Sequence, residues 1–499
     1  MAAVDTGRPR TYGNWRKPRS PGIGGLGLAG TMAMMVGMIL MVICMLINFF
    51  LALGVGVLVG LGLLPLLIKD KWGRNGLQRG TARVAWWRAR KAGKHLYRSG
   101  PLGRTPYGTC QLPGLAAASS LAEYSDAHSR PFALVSLPTL NHHTVVISCD
   151  ADGASLVDSD QVDTWVAHWG QWLSGLAHEP GLIAASVTVE AAPDTGSRLS
   201  AEVRGQLSPD APPLAREVLQ QIVRTYPAGS ALLTTQVALT FSGAARNGAA
   251  RRDADQVADE VASRLPGLTS GLAMTGAGAA RPMTASELAE LVRTAYDPSI
   301  ATLVAEGRAA GGTGITWDDA GPIAAEESWT HYRHDGAWSR TWSMGEAPRG
   351  EVFSTVMASL LLPHSDVARK RVTLLYRPHD PASAARIVED DRKNALFQAQ
   401  QARVAAARDS VAVRAAEQAA QEEATGAGLV RFALLATATV MSREELPKAD
   451  AVMENLSIPS RIRLRLVQGS QASAFAACLP IGIVTPDHLM VPQAIREAM

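Results

Sequence analysis

TMAMMVGMILMVICMLINFFLALGVGVLVGLGLLPLLI, Thr31 to Ile68, lies inside 49 consecutive residues, 20–68, that carry no charged side chain. At about 1.5 Å per residue, one helix of that length would be more than twice as long as the roughly 30 Å hydrocarbon core of a bilayer. Two crossings of about 20 residues fit better, so the stretch predicts a membrane helical hairpin over 26–68, turning near Asn48. A cleaved signal peptide would instead carry an apolar region of only about 7 to 15 residues followed by a small-residue cleavage site.

The flanks orient the hairpin. Arg8, Arg10, Arg16, Lys17 and Arg19 precede it in a basic tail, 1–25, and eleven further cations follow it from Lys69 to Arg104. The positive-inside rule then places both termini in the cytoplasm, giving a cytoplasmic (inner) membrane protein with two spans. Residues 1–104 hold sixteen basic side chains against Asp5 and Asp70, a net +14, so the +3 of the 499-residue chain leaves −11 for residues 105–499. The mean hydropathy of +0.04 is likewise an average of an apolar anchor and a soluble body. Cys44, Cys110, Cys149 and Cys478 are widely separated, which suits a reducing compartment better than a disulfide framework or a zinc ribbon.

Residues 69–104 read as a basic juxtamembrane helix. From Leu77 to Arg98 cations alternate with Val84, Trp86, Trp87, Leu96 and Tyr97, a pattern suited to the headgroup layer of an anionic membrane. Membrane-surface contact is expected from Lys69, Lys71, Arg74, Arg79, Arg83, Trp86, Trp87 and Arg88. A nucleic-acid surface is also basic and aromatic, so direct DNA contact stays open, though adjacency to the membrane favours lipid.

Gly, Pro, Ser and Ala dominate 105–127, which reads as a linker. Two α+β units are then expected, 128–308 and 309–499. In the first, strands at Phe132–Leu137 and Thr144–Cys149 precede a helix at Asp160–Ala177 whose Trp165, Trp169 and Trp172 read as core. A strand at Leu182–Val189, a helix at Leu214–Arg224, a strand at Leu232–Phe241, a helix at Ala254–Leu265 and a weak strand at Leu268–Met274 follow. The capping box of Thr284 with Glu287 opens a helix to Ala295. In the second unit Asp335-Gly336 marks a hairpin between Trp329–His334 and Ala337–Met344. A helix at Val352–Leu361, a strand at Arg371–Tyr376, a helical stretch over 381–424, and strands at Leu429–Val440 and Arg461–Val467 around a helix at Arg443–Leu456 complete it. The fold class expected is a membrane helical hairpin plus a cytosolic α+β part, built as two related ferredoxin-like α/β units with a long Ala-rich helical arm, 381–424. Phe397, Val404 and Val411, seven apart, permit a coiled-coil seam in that arm, a solvated arm or a broken helical hairpin being the alternatives.

Catalytic signatures do not emerge. G-x-x-x-x-G-K-[ST] is absent, so the phosphate cradle of P-loop ATPases is missing. GIGGLG at Gly22–Gly27 satisfies G-x-G-x-x-G but adjoins a membrane helix rather than following a strand, and reads as helix packing. Adjacent His142 and His143 point to opposite faces of a strand, and His331 and His334 lack the glutamate of H-E-x-x-H. No G-x-S-x-G elbow occurs. Neither a metal nor a cofactor is expected, and the chain reads as a non-enzyme, a membrane-anchored enzyme with an unrecognised site being the alternative.

RTYGNWRKPRSPGIGGLG (Arg10–Gly27), HWGQWLSGLAHEPGLIAASVTVEAAPD (His168–Asp194) and KRVTLLYRPHDPASAARIVEDD (Lys370–Asp391) resemble segments of an actinobacterial membrane-protein family of conjugative elements, associated with type IV secretion. RPMTASELAELVRTAYDP (Arg281–Pro298) is similar to the amino-terminal, non-motor region of type IV secretion ATPases, and the chain reaches Met499 without their P-loop domain. The anchor-plus-body layout more distantly resembles EccE of type VII secretion. The resemblance implies a scaffolding inner-membrane component of a conjugation or secretion apparatus, with a secretion ATPase and a PrgI-like small membrane protein as partners. Homo-oligomerisation stays open, and no functional residue is carried over.

Overall fold

The computed structural model describes residues 10–15, 27–68, 70, 74–103, 108–151, 153, 156–208, 210–225, 231–245, 250–348, 350–401 and 407–489. Arg8, Arg16, Lys17, Arg19, residues 22–26 of the glycine-rich motif, Lys69, Lys71, Arg104 and Val404 of the expectations above lie outside them. The chain divides into an anchor unit, 15–95 with 485–499, and a body unit, 1–14 with 96–484.

The anchor unit holds α1 (Gly27–Ile47), α2 (Phe49–Leu67) and α3 (Gly76–Lys91). Asn48 separates the first two, its side chain accepting the Phe50 N–H at 2.9 Å and its own N–H donating to Cys44 O at 2.8 Å. Small residues let α1 and α2 approach: a Cβ on Gly37 would lie 2.6 Å from Val59 Cγ1, and one on Gly56 would lie 3.2 Å from Met41 Sδ. The outward apolar side chains stay exposed, Leu46 to 85% and Phe50 to 79%. Only α1 is long and apolar enough to cross a membrane by length and composition among the described residues. Two such helices were expected; among the described residues α2 counts as a shorter apolar helix, Phe49–Leu64.

In the body the first half runs β1 (Leu96–Arg98), β2 (Ser120–Ser125), β3 (Pro131–Leu137), β4 (His142–Asp150), α4 (Ser159–Leu176), β5 (Leu182–Pro193), α5 (Ser197–Gln206), α6 (Pro213–Thr225), β6 (Ala231–Ser242), α7 (Ala254–Ala273), β7 (Ala279–Pro282), α8 (Ala285–Tyr296) and α9 (Ala301–Ala309). The second runs β8 (Ala324–Glu327), β9 (Tyr332–His334), β10 (Ala337–Glu346), α10 (Ala358–Leu361), β11 (Arg369–Pro378), α11 (Pro381–Gln401), α12 (Ala407–Ala424), β12 (Val430–Val440), α13 (Leu446–Ser457), β13 (Arg463–Leu466) and α14 (Gln471–Ala477). The thirteen strands among the described residues join one antiparallel sheet, ordered β1-β8-β9-β10-β12-β11-β5-β6-β4-β3-β2, with β13 on β10 and β7 on β4. The halves expected at 128–308 and 309–499 are therefore not separate bodies; β5 pairs with β11 from Ala185↔Tyr376 to Ala191↔Lys370.

Each half repeats one connectivity. β4-α4-β5, a pair of helices, then β6-α7-β7 lie in the order β7-β4-β6-β5. β10-α10-β11, a pair of helices, then β12-α13-β13 lie in the order β13-β10-β12-β11. Phe132, Val145, Ile147, Leu239 and Phe241 pack with α4 and α7 on one face, and Leu434, Ala436 and Val440 pack with α13 there. The opposite face meets α8 and a fully buried strap, Ala474 to Val484. Hydroxyls line that face in cross-strand pairs, Thr144–Thr240 at 3.1 Å, Thr188–Thr373 at 3.1 Å, Thr341–Thr437 at 2.9 Å and Ser339–Thr439 at 2.7 Å.

Local differences from the sequence reading have physical causes. Leu268–Met274 is helical: Val257, Val261, Leu265, Leu268 and Leu272 keep one buried stripe through Pro266. The Ala262 carbonyl, which a proline four residues later cannot satisfy, accepts the Ala127 N–H at 3.1 Å. The supposed linker 105–127 contains edge strand β2, and the supposed helix 69–104 ends at Lys91 because Gly93 takes φ +71, after which Leu96–Arg98 joins the sheet. The expected helix at Val352–Leu361 is a 3₁₀ turn, Ser354–Met357, leading into the short α10, Ala358–Leu361. The arm 381–424 is two helices packed on each other, with Phe397 and Val411 exposed.

Candidate membrane interface

α3 starts eight residues after Ile68, the residue that caps α2. Asn75 N–H donates to Gln78 Oε1 at 3.3 Å, opening α3, and Gly76 N–H donates to Ile68 O at 3.0 Å, tying its first turn to the end of α2. The helix has no acidic residue, and Arg88, Arg90 and Lys91 in its last turn suit the negative end of the helix dipole. It terminates at Gly93, whose N–H reaches Arg90 O at 3.0 Å, while Lys94 N–H reaches Ala89 O at 2.9 Å.

Helical spacing sorts the side chains into two stripes. Arg79, Arg83, Trp86 and Arg90 fall at i, i+4, i+7 and i+11; Val84, Trp87, Arg88 and Lys91 fall on a second stripe. Arg79 and Arg83 are like charges one turn apart, an arrangement that costs an isolated helix roughly 0.2–0.5 kcal/mol and that an anionic surface would reverse. The Arg90 guanidinium sits 5.2 Å from the Trp86 ring centroid, and the Lys91 ammonium 5.5 Å from that of Trp87. Trp87 is 59% exposed and Trp86 half-buried. Arg79, Arg83 and Arg88 are exposed as well.

Among the residues expected at this surface, Arg79, Arg83, Trp86, Trp87 and Arg88 share α3, whereas Arg74 precedes it and pairs with Asp70 at 3.6 Å. Lys69 and Lys71 are outside the described residues. Arg90 and Lys91 were not singled out from the sequence, although their i, i+4 spacing to the two tryptophans was visible there.

The histidines considered as metal ligands are engaged in the sheet. His334 is fully buried, with Nδ1 2.5 Å from Tyr296 O and Nε2 2.7 Å from Ser339 Oγ, and burial lowers its pKa to about 4. His143 lies 2.9 Å from Ser136 Oγ and 3.3 Å from Asn141 Oδ1. Among the described residues no group of three His, Cys, Asp or Glu side chains could hold a metal ion.

Residues 19–78 match a family described as a domain of unknown function (DUF8461). The matched segment contains both apolar helices and the first turn of α3. Among curated proteins none matches the chain.

Proposed function

We propose that the chain is a two-span inner-membrane scaffold of a type IV-like conjugation or secretion apparatus, its hairpin anchoring a cytoplasmic α+β body and α3 resting on anionic lipid. One observation carries the topology. Tyr12, which precedes α1, exchanges both backbone hydrogen bonds with Val352 of the body, at 2.8 and 2.9 Å. Its hydroxyl donates to Asp163 Oδ1 at 2.6 Å, and Asn14 Nδ2 donates to Ala415 O at 3.1 Å. Residues before and after the apolar helices thus belong to one folded body and lie on one side of any bilayer. A chain that leaves that side after Asn14 and has returned by Leu96 crosses an even number of times. If α1 crosses, a return is required, and α2 is the apolar helix positioned to make it. The cations on both flanks make the shared side cytoplasmic.

Each half of the body is a ferredoxin-like unit in this reading, because strand order 4-1-3-2 with both crossover helices on one face is that of a split βαβ repeat. The secretion assignment rests on the sequence phrases from Arg10, His168 and Lys370. Affinity purification from membranes in mild detergent is expected to recover a secretion ATPase or a PrgI-like protein; recovery of neither sinks that assignment.

The topology has its own test. In intact cells a membrane-impermeant maleimide is expected to label Asn48→Cys, and to label Ser129→Cys only after permeabilisation. Protection of Asn48→Cys in intact cells overturns the hairpin.

Lipid contact by α3 is tested separately in nanodiscs. At about 1 kcal/mol per surface cation, the three cations Arg79, Arg83 and Arg90 predict roughly 100-fold slower amide exchange in α3 over anionic than over zwitterionic lipid. Replacing all three by glutamine is expected to abolish the difference, and an unchanged difference removes these residues from the interface.

A further inference from the structure

Residues 105–499 carry a net −11, yet one end of the sheet is strongly basic. In SRIRLRLV, Ser460–Val467, alternation sends Ile462, Leu464 and Leu466 into the core beneath α13. Within β13, Arg463 and Arg465 are left for the other face, and Arg461 sits in the turn just before the strand. Arg465 stands opposite Ser343 and Arg463 opposite Glu346 in the β10 ladder, and no second strand pairs with β13 among the described residues. An edge of that kind offers backbone donors and acceptors to an added strand.

β10 bulges between Met344 and Glu346, its pairing with β12 having ended at Ser343↔Leu435. Beside the bulge lies a cleft of about 430 Å³ lined by Glu346, Ala347, Arg461 and Arg463. Arg461 enters it from left-handed backbone, φ +52, uncommon for a residue with a Cβ, and its Nη1 donates to Glu351 O at 3.0 Å. Arg465 Nη2 donates to Ser343 Oγ at 3.1 Å, and Glu346 lies 3.8 Å from Arg463 Nη1.

We propose that the outer edge of β13 receives an extended acidic segment of a partner protein as an added strand, its alternate carboxylates meeting Arg463 and Arg465, with Arg461 at the entry to the strand. Same-face residues of a strand repeat every two positions, about 6.6–6.8 Å, so an added strand brings its own alternate side chains into register with that row. Backbone pairing supplies the affinity and the arginines select acidic partners. Single-stranded nucleic acid would also be drawn to this charge, but it binds by stacking on aromatic rings, and Tyr376 and Phe432 belong to the opposite face. The proposal holds whatever the number of membrane crossings.

The test uses the full-length protein in detergent micelles and a fluorescein-labelled peptide of alternating Glu and Val, followed by anisotropy. Arg463→Glu with Arg465→Glu is expected to weaken binding about tenfold or more, since two favourable cross-strand charge pairs become repulsive. Arg463→Gln with Arg465→Gln should act in the same direction and guards against a folding defect in the reversal. Charge reversal of Arg79, Arg83 and Arg90 on α3 should leave binding within about twofold. Saturating peptide should slow amide exchange across residues 463–466. Equal binding by the β13 variants, no change in that exchange, equal binding of an isomeric peptide with its Glu clustered at one end, or displacement of the peptide by an equimolar oligothymidylate would each overturn the proposal, the last in favour of a nucleic-acid surface.

Discussion

Replacing Glu190 by glutamine is expected to destabilise the body by about 3–5 kcal/mol, a large part of the roughly 5–15 kcal/mol that holds a typical domain folded. Glu190 of β5 stands opposite Arg371 of β11 at the seam between the halves. Its Oε1 lies 3.0 Å from Arg371 Nη2 and 3.0 Å from Arg369 Nε. Glu190 and Arg371 are only 5% and 4% exposed, and the Arg371 guanidinium lies over the ring of Phe475. Burial alone would raise the carboxyl pKa, but Arg369 and Arg371 outweigh it and hold Glu190 below its ordinary value. A depressed folded pKa means that the unfolded chain binds the proton first. The stabilisation is therefore complete above the unfolded value of about 4.3 and is lost as pH falls through the folded one. Urea midpoints at neutral pH and near pH 3 separate the effects: the gap between wild type and Glu190→Gln should narrow at the acid end. Replacing all three residues by apolar side chains of similar volume should recover most of the loss, because it removes the stranded cations as well as the pair. A Glu190→Gln midpoint equal to wild type at neutral pH would show that the seam does not depend on this charge.

That seam also marks where the sequence stops being legible. KRVTLLYR, Lys370–Arg377, reads as a strand from Arg371, but the residue that neutralises Arg371 is 181 positions away. Nothing near Arg371 announces Glu190. Local signals fare better: Asp335 adopts φ +44 and turns β9 into β10, and Thr284 caps α8 through Glu287 N–H at 3.3 Å. Both devices act over three or four residues. Edge strand β2 escapes notice because SLAEYS has few β-branched residues and takes its definition from pairing with β3. The cations and tryptophans of α3 were readable as a surface, yet where the helix stops depends on one glycine in left-handed backbone. The sequence around β13 reads only as a strand, because its pairing depends on β10, more than a hundred residues earlier, and on a bulge there.

Gly482→Ala is expected to destabilise the body by about 2–5 kcal/mol, from roughly 1–2 kcal/mol for left-handed backbone and a further 1–3 kcal/mol for overpacking. The strap that ends at Val484, with Gln471 just before it, meets the hydroxyl-lined face of the sheet at three points. Gln471, fully buried, accepts the Thr341 N–H at 2.9 Å and donates to Thr341 O at 3.2 Å, so its amide stands in for a paired strand on β10. Thr373 Oγ1 of β11 donates to Cys478 O at 3.0 Å. At Gly482, φ +72, a Cβ would overlap the Thr144 hydroxyl and lie 2.6 Å from that of Thr240, the pair joining β4 to β6. An alanine must push the strap off both strands or break that pair. Gly350 has nearly the same backbone, φ +76, with nothing within 4 Å of a Cβ, so Gly350→Ala carries the conformational cost without the overlap. The difference between the two urea midpoints measures the overlap alone. Adding Thr144→Ala to Gly482→Ala should return part of that difference as a positive coupling energy. Amide exchange should locate the damage: in Gly482→Ala the strap residues 474–484 are expected to open before β10 and β11 do. Equal losses for the alanines at 350 and 482 would mean that the strap has room to spare on the sheet, and that the hydroxyl pairs, rather than the strap, keep the two halves of this face together.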